Sequence, residues 1–352
     1  MITMREIADE IGCSIATVSR ALNGGARVDD STSNAIKAVA KRLGYQSKRA
    51  IHKPEGHGVT RTIGLLIPTL EKFNYTLSMS LMQKVLAQAD YRLLLSCHGE
   101  DPEAEKILLR SLINHPVDAI VHVPSGPDGA ATLLGQELRI PIVEFYRKSQ
   151  DPNVEAVVAD DELGSYELVR HLVEYGHQRI ALVADDKSHS SSISRAEGFT
   201  RAILESQLSA SECPMLFRPE LEFTRARDWG QRALEQIHGM DADIRPTAVL
   251  CTSTHVALGV VEGCRHLGID IPVEMSIVAF SSAEWLDICD PPLTRYQNPL
   301  KEMGLMAAQL LLNRLELPPA TDLAPSSVRF AGKLMVRNSV AEPKGAPVRS
   351  LR

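Results

Sequence analysis

The sequence predicts two parts with different architectures: a small all-α head, and a larger α/β body of two doubly wound parallel-sheet subdomains. Three observations lead to this prediction. Short amphipathic helical patterns fill residues 3–43, and a basic stretch containing Pro and Gly follows at 46–61. From Thr62 onward, short apolar runs alternate with helical patterns. A chain of 352 residues is long enough to give each of these parts its own core.

The head begins with two short helical patterns on either side of a tight turn. Thr3 and Glu6 form a T-x-x-E capping box, Gly12 allows the sharp bend, and Ser14 is placed to cap the second helix. Val18 would face inward. The residues left on the outward side are Ile15, Ala16, Thr17, Ser19 and Arg20. This spacing predicts a helix-turn-helix whose second helix enters the major groove of DNA; a helical hairpin that only covers a larger domain is the alternative.

A third helix should complete the head. Asp29 is placed to cap this helix, and Gly44 is placed to end it. Its apolar stripe would comprise Ala35, Ile36, Val39, Ala40 and Leu43. We therefore expect a three-helix core that belongs to the head alone.

The body has the pattern of repeated βαβ units, which predicts parallel sheets covered by helices on both faces. Strands are expected at TIGLLIP, YRLLLSC, VDAIVHVPS, IPIVEFY, RIALVAD, TAVLCT and MSIVAF. Helices are expected at about 77–89, 102–114, 130–138, 161–175, 193–205, 226–238, 256–267 and 300–315. A final strand near 328–334 would return across the boundary between the two subdomains.

Charge and composition narrow the class of protein. The formal net charge is −6, but residues 1–61 carry +4 and the remainder therefore carries −10. A basic head on an acidic body fits a small nucleic-acid-binding module attached to a soluble sensor. The six cysteines form no C-x-x-C pair, no apolar run is long enough to span a membrane, and no signal peptide is visible. These features predict free thiols, no metal site and a cytoplasmic protein.

The run S-I-A-T-V-S-R-A-L-N-G within residues 7–32 resembles the N-terminus of the LacI/GalR family of transcriptional regulators. The resemblance implies a lambda-repressor-like head that binds a palindromic DNA operator as a homodimer, with a tetramer left open. It also implies that Ile15, Ala16 and Arg20 face bases. The residues expected to position phosphates or to support the DNA contact are Thr3, Ser14, Thr17, Ser19 and Asn23.

The body resembles the effector domain of the same family, which has a periplasmic-binding-protein-like fold. Matching segments include RHLVEYGHQRIALV, RAEGFTRAI and DPPLTRYQNPLKEMG. The resemblance implies a head at 1–47, a hinge or linker at 48–61, an effector-binding body at 62–338 and a disordered tail at 339–352. Within the body, one subdomain would comprise about 62–161 and 293–326, and the other about 162–292 and 327–338.

The linker departs from the family pattern. Relatives place a leucine here that wedges into the minor groove, but the aligned position in this chain is Pro54. Proline removes a backbone donor and clashes within a helix, which puts DNA-coupled hinge folding in doubt. Ile51 is the only large aliphatic residue left to act as a wedge, while Lys48 and Arg49 can meet phosphates.

The loops that follow the strands are where a ligand of such a body should bind, in a cleft between the subdomains. The resemblance implies roles there for Arg195, Arg147 and Asp160. Aromatic or hydroxyl groups completing the expected effector site are Phe73, Tyr75, Tyr146, Ser253, Ser281 and Trp285. Ser253 and Ser281 place hydroxyl groups at or near positions where relatives carry acidic or amide side chains. Because two arginines remain, this pattern favours a sugar acid or a phosphorylated sugar over a neutral sugar.

Enzymatic activity is the weakest interpretation of the sequence. There is no G-x-S-x-G, P-loop, H-E-x-x-H or complete G-x-G-x-x-G pattern. We therefore expect no catalytic residues and no cofactor. The function predicted is a DNA-binding regulator, in most relatives a repressor, that responds to a small carbohydrate-type effector. An effector-dependent activator or a regulator responding to a neutral sugar is the alternative, and for the body alone a solute-binding module.

Overall fold

A computed structural model describes residues 4–22, 29–42, 59–114, 117–128, 140–185, 187–219, 225–317 and 325–344. The chain divides into two compact units, one comprising Met1–Thr60 and Ile113–His115 and the other comprising Arg61–Leu112 and Pro116–Arg352. The first unit contains the predicted head, and the second unit contains most of the predicted body.

The head contains the three predicted helices, α1 (Met4–Ile11), α2 (Ile15–Leu22) and α3 (Asp30–Arg42). Gly12 ends α1 with φ +75°, a conformation that glycine adopts without steric cost. The core formed by the three helices comprises Ile7, Ala8, Val18, Ala21, Ile36 and Ala40. The prediction of a separate core is confirmed, although Ala35 is exposed and does not belong to it.

Two of the predicted helix caps are present in the head. Ser14 Oγ accepts a hydrogen bond from the backbone N–H of Thr17 at 3.1 Å, at the start of α2. Asp29 Oδ1 accepts one from the backbone N–H of Thr32 at 2.9 Å, at the start of α3. Each cap satisfies a backbone donor that has no partner within its helix.

The first sheet of the body is entirely parallel and has the strand order β11-β5-β4-β3-β1-β2. Its strands are β1 (Thr62–Ile67), β2 (Arg92–Cys97), β3 (Ala119–His122), β4 (Ile142–Tyr146), β5 (Glu155–Ala159) and β11 (Ser327–Phe330). The helices that cover it are α4 (Phe73–Gln88), α5 (Pro102–Asn114) and α10 (Leu300–Glu316). This sheet with its helices is the first lobe.

The second sheet has the order β12-β10-β9-β8-β6-β7, and only its last strand, β12, is antiparallel. Its strands are β6 (Ile180–Ala184), β7 (Met215–Phe217), β8 (Ala248–Cys251), β9 (Ser276–Phe280), β10 (Thr294–Gln297) and β12 (Lys333–Met335). Its helices are α6 (Asp161–Glu174), α7 (Ser190–Glu205), α8 (Ala226–His238) and α9 (Thr254–Leu267), with 3₁₀ turns at Ala210–Glu212 and Glu284–Ile288. This sheet with its helices is the second lobe.

Apolar residues pack on both faces of each sheet, as expected for strands buried between helices. In the second lobe, one core lies between the sheet and α8 with α9, and the other lies between the sheet and α6 with α7. In the first lobe, the larger core lies between the sheet and α4 with α10. The predicted α/β class of the body is confirmed.

The chain crosses between the lobes three times, and two of the crossings differ from the predicted boundaries. Thr294–Gln297 was expected in the first subdomain, but it pairs with β9 in the second sheet. Ser327–Phe330 was expected in the second subdomain, but it pairs with β5 in the first sheet. The single strand predicted near 328–334 is therefore two strands, because the chain leaves one sheet after Phe330 and enters the other at Lys333.

Two further predictions concern the expected tail at 339–352 and the expected helix at 130–138. The expected tail includes Ser339, which is fully buried: its Oγ accepts from the backbone N–H of Thr294 at 2.8 Å. The backbone N–H of Ala341 donates to Ser276 Oγ at 3.1 Å. Residues 339–341 thus pack beside β9 and β10, and the predicted disorder is wrong for them. The helix expected at 130–138 lies outside the described residues.

Candidate functional site

The outward side of α2 is the candidate DNA-contacting surface of the head. Ile15 is 49% exposed, while Val18, on the opposite side, is fully buried. Ser14 Oγ and Thr17 Oγ1 lie 2.8 Å apart at the exposed start of the helix. An exposed helix N-terminus with two hydroxyls can donate hydrogen bonds to a phosphate group.

Several predicted DNA-contacting residues cannot be placed in this surface. Thr3, Asn23, Lys48, Arg49 and Ile51 lie outside the described residues, as does Pro54. Ala16, Ser19 and Arg20 belong to α2, but their side chains are outside the described part of the structure. The roles proposed for these residues stay predictions.

The candidate effector site lies where the carboxyl ends of the strands in the two lobes face one another. Three contacts join the lobes there. The Nη2 of Arg195 donates to the hydroxyl of Tyr146 at 3.3 Å, and the backbone N–H of Lys148 donates to Ser190 Oγ at 3.0 Å. His189 Nε2 lies 3.1 Å from Glu100 Oε2. The lobes therefore meet in this form of the protein through polar side chains that a ligand could also contact.

Arg195, on α7, is buried and surrounded by protein acceptors. Its Nε and Nη2 donate to Asp161 Oδ1 at 3.0 and 2.7 Å, and its Nη1 donates to the carbonyl of Thr252. The guanidinium also lies 4.3 Å from the centroid of the Phe280 ring, within the range of a cation–π interaction. The predicted position in the cleft is thus observed, but the charge of this arginine is paired with Asp161.

Arg147 follows β4 and is paired in the same way. Its Nη1 and Nη2 donate to Glu100 Oε2 and Oε1 at 2.7 and 3.0 Å, a bidentate pair. Lys72 Nζ donates to Glu100 Oε1 at 3.0 Å. Burial would raise the pKa of Glu100, but Arg147 and Lys72 hold this pKa well below its usual range. The Glu100 carboxylate is therefore charged at all physiological pH values.

Two of the predicted aromatic residues pack against each other near the carboxyl end of β4. The rings of Tyr75 and Tyr146 meet edge to face, with centroids 5.6 Å apart, and both are buried. Asn74 Nδ2 donates to the hydroxyl of Tyr146 at 2.6 Å. Tyr146 has φ +66°, an uncommon conformation for a residue other than glycine, which turns the chain at the end of β4. Phe73, at the start of α4, is 39% exposed and is not part of this contact.

The remaining predicted residues have mainly local roles in this form. Asp160 caps α6 by accepting from the backbone N–H of Leu163, and Ser253 caps α9 by accepting from that of Val256. Ser281 is buried; its Oγ lies 2.7 Å from Thr254 Oγ1 and accepts from the backbone N–H of Ala283. The side chain of Trp285 is outside the described part of the structure.

The sequence interpretation missed Glu100 and Asp161, the two carboxylates that pair with the arginines. Both follow strands, which is the only signal that could have indicated them. Their presence removes the basis of the argument for an anionic effector. Ser253 and Ser281 carry hydroxyls at or near positions where relatives have acidic or amide side chains. Glu100 and Asp161, however, supply two carboxylates that neutralise Arg147 and Arg195.

Two cavities border the closed contact between the lobes. A cavity of about 280 Å³ lies against Glu100, with Ser125, Ser188 and His189 in its wall. One of about 390 Å³ lies on the other side of Ser188 and is lined by Glu144, Lys148 and Ser190 among others. Between Tyr146 and Asp161 the space is only about 20 Å³. The cleft therefore has room for a small ligand beside the ion pairs.

Among the described residues, no three His, Cys, Asp or Glu side chains are arranged to hold a metal ion. All six cysteines are free. None of the helices in the described ranges is long and apolar enough to cross a membrane. A helix-turn-helix head joined to a two-lobed body with a polar interlobe site defines the class of DNA-binding regulators that sense a small molecule.

Comparison with known proteins identifies the family. Residues 3–48 match the model of bacterial regulatory proteins of the lacI family, and residues 169–340 match that of the periplasmic binding protein-like domain. The transcriptional regulator MalR of Streptomyces coelicolor is 30% identical over 349 residues, which cover 97% of each chain. The protein belongs to the LacI family and is a DNA-binding transcriptional regulator, not an enzyme.

Other similar proteins agree with this assignment. The transcriptional repressor PurR of Actinobacillus pleuropneumoniae is 27% identical over 343 residues, covering 97% of this chain and 98% of PurR. Among solved structures, the lac repressor dimer bound to operator and an anti-inducer has a TM-score of 0.69 at 21% identity, covering 97% of this chain and 99% of that chain. The complex of the regulator CelR with cellobiose has a TM-score of 0.70 at 23% identity, covering 96% of this chain and 100% of that chain. At these identities, the similarity to the lac repressor and CelR structures shows a shared fold and no more.

Proposed function

We propose that this protein is a homodimeric repressor whose affinity for a palindromic operator changes when an uncharged, polyhydroxylated sugar binds between the two lobes of the body. The observation that carries the proposal is the paired state of the interlobe site. Both arginines that face the cleft already have a carboxylate partner from the chain itself.

The head supports the DNA part of the proposal. One helix-turn-helix reads only a few base pairs, so useful affinity requires two heads related by a two-fold axis. In this arrangement Ile15, Ala16 and Arg20 contact bases. The residues that position the phosphates are Ser14, Thr17, Ser19 and Asn23, with Lys48 and Arg49 adding contacts from the linker.

Replacing Arg20 with alanine should weaken binding to the preferred operator by about 1–3 kcal/mol and relax one position in each half-site, because arginine reads guanine through two hydrogen bonds. The preferred sites, selected from a random DNA pool, should be palindromes of about 14–20 base pairs with half-sites roughly one helical turn apart. Lys48→Ala is the matched control. Loss of a phosphate contact should weaken binding to all DNA sequences alike and reduce the salt dependence of the binding affinity. Selection of asymmetric or unrelated sites would contradict the dimeric operator.

The body supports an uncharged effector. Lys72 and Arg147 share Glu100 and are also attracted by Asp185, and Arg195 is paired with Asp161, so three carboxylates balance the three cations of the site. Two structural relatives of the same fold were solved with sugars: CelR with cellobiose, and a LacI family regulator from Enterococcus faecium, 24% identical, with ribose. A sugar acid or phosphorylated sugar remains the competing effector, and it would have to displace one of the two carboxylates.

Calorimetric titration with neutral sugars and the matching sugar acids tests this choice. We expect the neutral member of a pair to bind at least about tenfold more tightly, because like charges brought together in a site cost several kcal/mol. Ser281→Asp adds a carboxylate near Arg195 and should lower affinity for an acid far more than for a neutral sugar, with Ser281→Ala as the control. A preference for the acid would refute the uncharged effector and leave the assignment as a regulator intact.

A further inference from the structure

The carboxylate of Glu100 is surrounded by donors in the cleft in the way that a bound anionic ligand would be. An ordinary surface carboxylate would have fewer such contacts. It lies in the loop after β2, and its two oxygens receive donors from three separate segments of the chain. Arg147 binds both oxygens, Lys72 binds Oε1, and His189, from the second lobe, lies against Oε2. This convergence of cationic and imidazole donors is the arrangement with which proteins bind a carboxylate or a phosphate.

The backbone of Glu100 is unusual as well. Its φ is +66°, and the preceding Gly99 also has a positive φ, of +67°. A residue with a Cβ is disfavoured in this region and persists there only when its surroundings hold it. Three donors to the carboxylate provide such a hold. An unfavourable backbone at a ligand-facing position is an observation from which a functional role can be inferred.

The residues around Glu100 carry positive charge that its carboxylate balances. Arg147 is buried and Lys72 is partly exposed. Both have raised pKa values, since the attraction of nearby negative groups outweighs the desolvation that lowers them. Asp185 is the other carboxylate that acts on both of these cations. Asp161 is engaged by Arg195 on the other side of the site. Removing the charge of Glu100 would therefore leave Lys72 and Arg147 without the carboxylate that contacts both of them.

The cavity of about 280 Å³ borders Glu100 and His189, two members of this cluster. We propose that Glu100 is the specificity-determining residue of the effector site: its carboxylate fills the place of a ligand anion, so that the cleft accepts uncharged hydroxylated ligands and rejects anionic ones. This inference rests on the proposed location of the effector site, and it identifies the residue that selects the class of ligand.

Two variants test the inference with inorganic phosphate as the probe. Glu100→Gln keeps the shape and removes the charge, whereas Glu100→Gly also relieves the positive φ, so at least one should fold normally. In calorimetric titrations of the full chain, both should bind phosphate at least about tenfold more tightly than the wild type, because the like charge that opposes the anion is gone. Glu103→Gln is the matched control: it removes an exposed carboxylate three positions away that pairs with Lys106.

The outcomes separate this inference from the proposed function. Phosphate binding by the wild type as strong as that by Glu100→Gln, or equal gains in Glu100→Gln and Glu103→Gln, would overturn the role of Glu100. Operator binding by Glu103→Gln, measured in parallel, should equal that of the wild type, since this exposed residue lies outside both the head and the effector site. If phosphate binding increases as expected but no ligand alters operator affinity, then Glu100 sets ligand charge in the cleft and the proposed effector response is the part that fails.

Discussion

Replacing Arg195 with methionine is expected to lower the free energy of unfolding of the body by about 3–5 kcal/mol, because it leaves Asp161 as a buried charge without a partner. Both residues are less than 5% exposed, so water cannot take over the role of the guanidinium. Urea denaturation followed by tryptophan fluorescence measures the effect. Both tryptophans of the chain, Trp229 and Trp285, belong to the second lobe, where Arg195 also lies.

A second substitution at Asp161 distinguishes a lost ion pair from lost packing. In the double variant Arg195→Met with Asp161→Leu, no charge is left unpaired, and replacement of a buried pair by apolar groups is often close to neutral. We therefore expect the double variant to recover most of the stability. Equal destabilisation of the single and double variants would mean that the shape of Arg195, rather than its charge, stabilises the lobe. A loss below about 1 kcal/mol in the single variant would contradict the buried pair altogether.

Replacing Gly259 with alanine should destabilise the second lobe by about 3 kcal/mol or more, which is the upper range for overpacking a core. A Cβ at this position of α9 would lie only 1.8 Å from the carbonyl oxygen of Arg227 in α8. The two helices are in backbone contact there, and rigid backbone atoms cannot yield as a side chain can. The direction of the effect is informative, because alanine by itself favours a helix over glycine by about 1 kcal/mol.

Gly263→Ala, one turn further along the same helix, is the control for Gly259→Ala. The nearest obstacle there is the flexible end of the Leu234 side chain, at 2.9 Å. We expect a change within about 1 kcal/mol, since the side chain can rotate and the helix gains propensity. Thermal or urea unfolding of both variants gives the comparison. Similar stabilities for the two variants would show that α8 and α9 separate easily and that their close approach is not required.

The class of the fold followed from the sequence because periodicity and strand–helix alternation are local signals. Three strands were not predicted. Glu155–Ala159 contains a short apolar run that was overlooked, whereas the other two lack those signals. Met215–Phe217 has only three residues at a sheet edge, and Thr294–Gln297 contains polar residues that are buried by tertiary contacts. The assignment of the last strands to the two sheets depends on pairing between distant residues, which no local pattern encodes. Ser327 of β11 pairs with Ala156 of β5, 171 positions away, and Met335 of β12 pairs with Arg295 of β10, 40 positions away.

The candidate site was predictable to a smaller degree. Arg147 and Arg195 were indicated by resemblance to the family, and the structure brings both to the cleft. Their partners were not predictable, because an ion pair depends on where two segments from different parts of the chain meet. Glu100 and Arg147 are 47 positions apart, and Asp161 and Arg195 are 34 apart. The inferred charge of the ligand changed once these pairs were known.

The position of the final strands has a consequence for how the protein is made. β11 completes the first sheet, β12 completes the second, and Ser339 then lies against β9 and β10. Neither lobe can therefore acquire all its pairings until residues 325–341 have emerged from the ribosome. Folding of the body is then completed late in synthesis. Until then the edges of β5 and β10 are unpaired and can be bound by chaperones.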